Sequence, residues 1–79
     1  MALTYRRWWF RLAGIESVYT VRRDGMPIGF AAREGRHWMA GYLPDGTWAR
    51  DDSGCARYFR RRDDVALHLA MVEERMVPA

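Results

Sequence analysis

A chain of 79 residues makes one domain and no more. Its single cysteine, Cys55, excludes an intrachain disulfide framework and suits a reducing compartment. The net charge of +3, from 13 basic residues against 10 acidic ones, is too small to demand a nucleic-acid partner, although the pI of about 9.6 allows one.

A domain this small buries a thin core. The aromatic residues must supply much of it: Trp8, Trp9, Trp38 and Trp48, with four Tyr and three Phe, each bury a large area. Every basic residue is arginine, which suits bidentate pairing with carboxylates or phosphates. No segment is long and apolar enough to span a bilayer, so no membrane partner is expected. The stretch from Met1 to Leu12 mixes Arg6, Arg7 and Arg11 with aromatics and has no cleavage site, so it does not read as a secretory signal. A cytoplasmic location is the default expectation.

In chain order, Leu3 to Ala13 fits two periods. As a helix it places Tyr5, Trp8, Trp9 and Leu12 on one face, with Gly14 as the stop. As a strand it alternates Trp8, Phe10 and Leu12 with Arg7, Trp9 and Arg11. The short helix is preferred. Ser17 to Arg23 alternates and is β-branched, so it reads as a strand, and Asp24-Gly25 is a hairpin turn. Ile28 to Arg33 is a second strand, with Ile28, Phe30 and Ala32 on one face. Glu34-Gly35-Arg36 turns the chain into a third strand, His37 to Leu43, with Trp38, Ala40 and Tyr42 on one face. Pro44-Asp45-Gly46 is a further turn, and Thr47 to Arg50 forms a short fourth strand. Asp51 to Gly54 is a polar loop.

A helix follows, with Asp63 or Asp64 as cap or first-turn acid, running to about Met76 before Pro78. Val65, Leu69, Val72 and Met76 form its apolar stripe. The expected fold is α+β: an antiparallel meander of three to four strands, one C-terminal helix packed across it, and a short N-terminal helix or strand. Val65, Leu69 and Val72 are expected to pack on Trp38 or Phe30.

Catalytic chemistry has no foothold in the sequence. One cysteine and two histidines, His37 and His68, on separate elements do not make a metal site or a nucleophile–base pair. The acidic pairs Asp51-Asp52, Asp63-Asp64 and Glu73-Glu74 read as loop, helix start and exposed helix face. His68, at the edge of the helix stripe, reads as a packed neutral histidine. A non-enzyme without cofactor or metal is expected.

Three features could carry binding. Arg57, Arg60, Arg61 and Arg62 surround Tyr58 and Phe59 just before the helix, where arginines oppose the helix dipole. Such interleaving grips phosphates and stacks bases, or grips an acidic protein patch. Arg6, Arg7 and Arg11 form a second basic patch. Leu67 and Met71, spaced i, i+4, lie well around the wheel from Val65 and should face away from the sheet, as a small apolar patch for self-association or a protein partner.

The residues Trp38, Pro44-Asp45-Gly46, Phe59, Asp64 and Val65 fall in an order that resembles the AP2-like N-terminal DNA-binding domain of tyrosine recombinases. The resemblance covers His37 to Met71 and departs from that pattern at Arg61, at Val65 and in the longer Asp51-Asp52 loop. It implies a DNA-binding arm without its catalytic domain. In size, mixed surface charge and lack of enzyme signature, the chain also resembles phage-encoded anti-CRISPR proteins. That resemblance carries no residue across; it implies a stand-alone inhibitor that binds the Cascade or Cas machinery and blocks target DNA. The leading expectation is therefore a small inhibitor, monomeric or a weak homodimer, that docks on a larger protein or nucleoprotein complex. A DNA-binding module is the alternative.

Overall fold

A computed structural model describes residues 2–8 and 17–76. Four antiparallel strands lie side by side in chain order: β1 (Leu3–Arg7), β2 (Ser17–Arg23), β3 (Met26–Glu34) and β4 (His37–Tyr42). One helix, α1 (Arg62–Met76), packs across them, against β3 and β4 above all. The α+β meander with a C-terminal helix is thus the fold.

The turns follow their residues. Asp24 and Gly25 both take positive φ, 51° and 84°. That is the backbone a two-residue hairpin needs to match strand twist, and Asp-Gly tolerates it.

The N-terminal segment is a strand where a short helix was preferred. Its backbone pairs with β2 from Leu3↔Arg23 to Arg7↔Tyr19, and Trp8 continues the ladder by donating to the Val18 carbonyl at 2.8 Å. A helix of this length is marginal by itself, whereas pairing with a preformed hairpin satisfies its backbone at once. Trp9, Phe10, Arg11, Leu12 and Gly14 lie outside the described residues. The expected fourth strand over Thr47–Arg50 exists only as isolated bridges, Gly41↔Trp48 and Arg50↔Ala56, although Thr47 and Ala49 do bond to β4.

The two faces of the sheet hold two clusters. Beneath α1, Val21, Ala31, Ala40 and Ala49 are buried against Val65, Ala66 and Leu69, with Tyr5, Tyr19, Ile28, Trp38, Tyr42 and Phe59 around them. The far face holds Val18, Ala32 and Met39, flanked by Trp8, Trp48 and Ala56. Trp8 stands edge-on to Phe30 there, at 5.5 Å between centroids.

Ile28 and Phe30 therefore do not share a face as strict alternation predicts. The register slips between Val21 and Arg22, so Val21 pairs with Gly29 and Arg22 with Pro27. Ile28 is the additional residue of a bulge and turns to the helix side. Consequently Val65 and Leu69 pack in the cluster with Trp38, not with Phe30. Val72 is half-buried, while Ala66 and Ala70 are buried in the helix face. The side chain of Met76 and Pro78 lie outside the description.

Gly29 explains how closely the layers approach. A Cβ at this position would stand 2.6 Å from the Gly41 carbonyl oxygen and 2.7 Å from Leu69 Cδ2. Only glycine leaves room for Leu69 to seat in the sheet.

Candidate functional site

The segment between β4 and α1 sets the candidate site. Trp38 and Phe59 exchange two backbone bonds, Trp38 N to Phe59 O at 2.8 Å and Phe59 N to Trp38 O at 2.7 Å. That bridge fixes Phe59 beside the helix. A tight loop precedes it, organised by Asp51, whose Oδ1 accepts from Ser53 N, Ser53 Oγ and Cys55 N. The Ser53 hydroxyl above all holds the Asp51 carboxyl below its ordinary range. Asp51 is thus a loop organiser, and Cys55 is a free, exposed cysteine.

Of the predicted arginine cluster, one member belongs to the fold. Arg62 lies over the Tyr5 ring at 3.9 Å and the Tyr19 ring at 4.9 Å. Beside it the Tyr5 hydroxyl donates to Asp63 Oδ1 at 2.5 Å. Burial and then the Asp63 carboxylate push the Tyr5 hydroxyl up to about 12. The corner pins the start of α1 to β1 and β2, which gives Arg62 a role in the fold. Arg61 reaches Asp64 at 3.9 Å across one helical turn. Arg57, Tyr58 and Arg60 are exposed; Arg57 stacks 4.8 Å over Phe59, and Tyr58 sits 5.7 Å from the His37 ring. Asp63 and Asp64 occupy the first turn, where their charge offsets what the arginines do to the dipole.

Leu67 and Met71 face away from the sheet, 51% and 54% exposed. They line a shallow groove of about 430 Å³ together with Arg57, Phe59, Asp64, His68, Val72 and Arg75. The groove joins the predicted apolar pair to one end of the predicted arginine cluster. It does not contain Tyr58, Arg60, Arg61 or Arg62. Arg60, Arg61 and Arg62 border a separate small cleft with Trp38 and Asp63. Arg6 and Arg7 are exposed on β1, remote in sequence from the groove; Arg11 lies outside the described residues.

His68 is the floor of the groove. Its Nε2 is 2.7 Å from the Tyr42 hydroxyl, and its ring stands 5.3 Å from that of Phe59. Burial, then the Arg57 and Arg75 guanidiniums, hold it below its ordinary range, so the neutral ring is favoured. Neither Arg57 nor Arg75 has a carboxylate partner among the described residues. The groove thus offers an apolar strip between two uncompensated cations.

Sequence reasoning missed Phe59 as a groove wall, and Arg75. The signal for Arg75 was present, because Leu67, Met71 and Arg75 continue one i, i+4 line. Glu73, read as exposed, is half-buried instead: Arg23 approaches it at 3.6 Å and Glu74 at 3.0 Å. Among the described residues no group of three or more His, Cys, Asp or Glu could hold a metal ion, and no helix is long and apolar enough to cross a membrane. No protein-family model, curated protein or solved structure matches the chain.

Proposed function

We propose that the chain is a small non-enzymatic binding protein that docks on a larger protein or nucleoprotein assembly and inhibits it. The docking site is the groove of Arg57, Phe59, Leu67, His68, Met71 and Arg75. The observation that carries this reading is the exposure of Leu67 and Met71 between two arginines that have no ion-paired carboxylate among the described residues. Exposed apolar residues with flanking arginine are the composition of an interface centre, where few residues carry most of the affinity. The complementary partner surface is acidic and apolar. In its sharpest form the target is a Cascade or Cas complex, as the resemblance to anti-CRISPR proteins implies, and the site of action is the cytoplasm.

A second reading has its own observation. Arg6 and Arg22 lie on the sheet face away from α1, as do the half-buried Trp8, Phe30 and Trp48. A sheet face of aromatics and arginines can stack bases and hold phosphates. This face supports the DNA-binding alternative.

Two measurements separate them. The protein is expected to prevent purified Cascade from binding target DNA, and Leu67→Glu with Met71→Glu to abolish the block while leaving the melting temperature nearly unchanged. The isolated chain is expected to bind duplex DNA no tighter than roughly micromolar at physiological salt, the non-specific level. Nanomolar, sequence-selective DNA binding that disappears in Arg6→Glu with Arg22→Glu would replace the first reading by the second.

A further inference from the structure

The sheet has two edges, and they are treated differently. At β4 the outward-pointing groups are largely occupied. Trp38 exchanges both its backbone bonds with Phe59, the Ala40 carbonyl accepts from Ala49 N at 2.7 Å, and Tyr42 N donates to Thr47 O at 2.8 Å. Gly46 N closes on the Tyr42 carbonyl at 2.7 Å. The loop between β4 and α1 therefore acts as a cover for that edge, one of the standard ways a fold protects it.

At β1 there is no such cover among the described residues: no strand or bridge pairs with its outer side. The direction of its backbone groups follows from the ladder. Trp8 N donates to Val18 O and Asp24 N donates to Ala2 O, so residues 2, 4, 6 and 8 turn their N–H and C=O toward β2. Leu3, Tyr5 and Arg7 then turn theirs outward. Three donors and three acceptors at strand spacing form the template that a further strand requires.

Charge selects the occupant. Arg6 points to the far face and Arg7 to the helix face, both exposed and without a carboxylate partner among the described residues. Arg22 lies across from Thr4 on the neighbouring strand, and Arg62 covers Tyr5 from the helix side. A second copy pairing along β1 would bring all of these cations together twice over, which like-charge repulsion disfavours. An acidic segment would meet an arginine on either face of the ladder.

We infer that the outer edge of β1 is a strand-addition site for an extended, acidic segment of a partner protein. The added strand bonds to the backbone of Leu3, Tyr5 and Arg7, while carboxylates on neighbouring residues, which point to opposite faces, reach Arg6 on one face and Arg7 on the other. This site lies apart from the helix groove and does not depend on it.

The test uses the isotope-labelled full chain and a blocked peptide of repeated Glu-Glu-Val-Val, which carries carboxylates on both faces of a strand, with its Lys-for-Glu counterpart as control. With the acidic peptide in excess, amide exchange at Leu3, Tyr5 and Arg7 should slow by roughly tenfold or more, while Thr4 and Arg6, already bonded to β2, change little. The Lys peptide should have no effect. Arg7→Pro deletes only an outward-facing N–H, in a backbone region proline accepts, so the fold persists. It should weaken the peptide by at least about tenfold relative to Arg7→Ala, which removes the same charge and keeps the amide. Three results would overturn the inference: exchange unchanged by the acidic peptide, shifts confined to Phe59, Leu67 and Met71, or concentration-dependent protection of the same amides without peptide, which would mean a second copy is the occupant.

Discussion

Leu67 and Leu69 sit two residues apart on one helix and have opposite fates. Leu69 is 1% exposed and fills the notch left by Gly29; Leu67 is 51% exposed and borders a groove. Their propensity and volume are identical, so only what lies opposite distinguishes them. The inward face of α1 is made of Val65, Ala66, Leu69 and Ala70 against small sheet residues, and it holds the domain together. The outward face repeats the apolar chemistry with nothing described packed over it. Stability and binding are therefore assigned to different sides of the same element.

The contrast can be broken most sharply at its two leucines. Leu69→Ala should destabilise the protein by about 2–5 kcal/mol, since the notch cannot collapse around a smaller side chain. Leu67→Ala should stay within about 0.5 kcal/mol of the parent, as exposed substitutions do. Urea titration of the pair measures both. Equal losses would mean that the outward face is packed too, and the groove would lose its claim as a docking site.

A smaller effect tests how the inward face is held. Tyr5→Phe removes the hydrogen bond to Asp63 and should cost about 1 kcal/mol. Arg62→Ala removes the stacking on Tyr5 and Tyr19 and should cost about 0.5–1 kcal/mol. Because both act at one corner, the double variant should lose less than the sum of the two single losses.

The smallest effect belongs to His68, which lies between the two faces. Its folded pKa is lowered, so the unfolded chain binds the proton more readily. Stability is fully present above the ordinary value of 6.5 and falls as the pH drops from there toward the folded pKa. His68→Gln should flatten that slope in a melting series. Binding has the opposite sign. An acidic group entering between Arg57 and Arg75 counters the charges that depress His68, so the complex takes up protons and tightens as the pH falls.

The turn chemistry and the helix stripe were legible in the sequence because each depends on nearby residues. Asp24-Gly25 announces its turn through the backbone it tolerates, and Leu67 with Met71 announce an outward patch by spacing alone. What was not legible depends on distant partners. Leu3 to Arg7 is a strand because β2 offers it a ladder, and nothing within the segment decides between the two periods. Ile28 changes face because of a bulge opposite Val21, a feature of pairing that strict alternation cannot anticipate. Ala66 and Ala70 escaped a search for large apolar residues, although they line the buried face. The part Arg62 plays in the fold was hidden because Tyr5 and Tyr19, which it covers, are distant in sequence.

The seating of Leu69 over Gly29 also constrains how such a chain can diverge. A side chain at position 29 would occupy the space that the leucine fills, so the leucine depends on the glycine. An alanine at 29 would also stand 2.6 Å from the Gly41 carbonyl oxygen, a backbone atom that no change at 69 removes. Among descendants of this sequence, glycine should stay at 29 even where position 69 changes, whatever happens to Leu67.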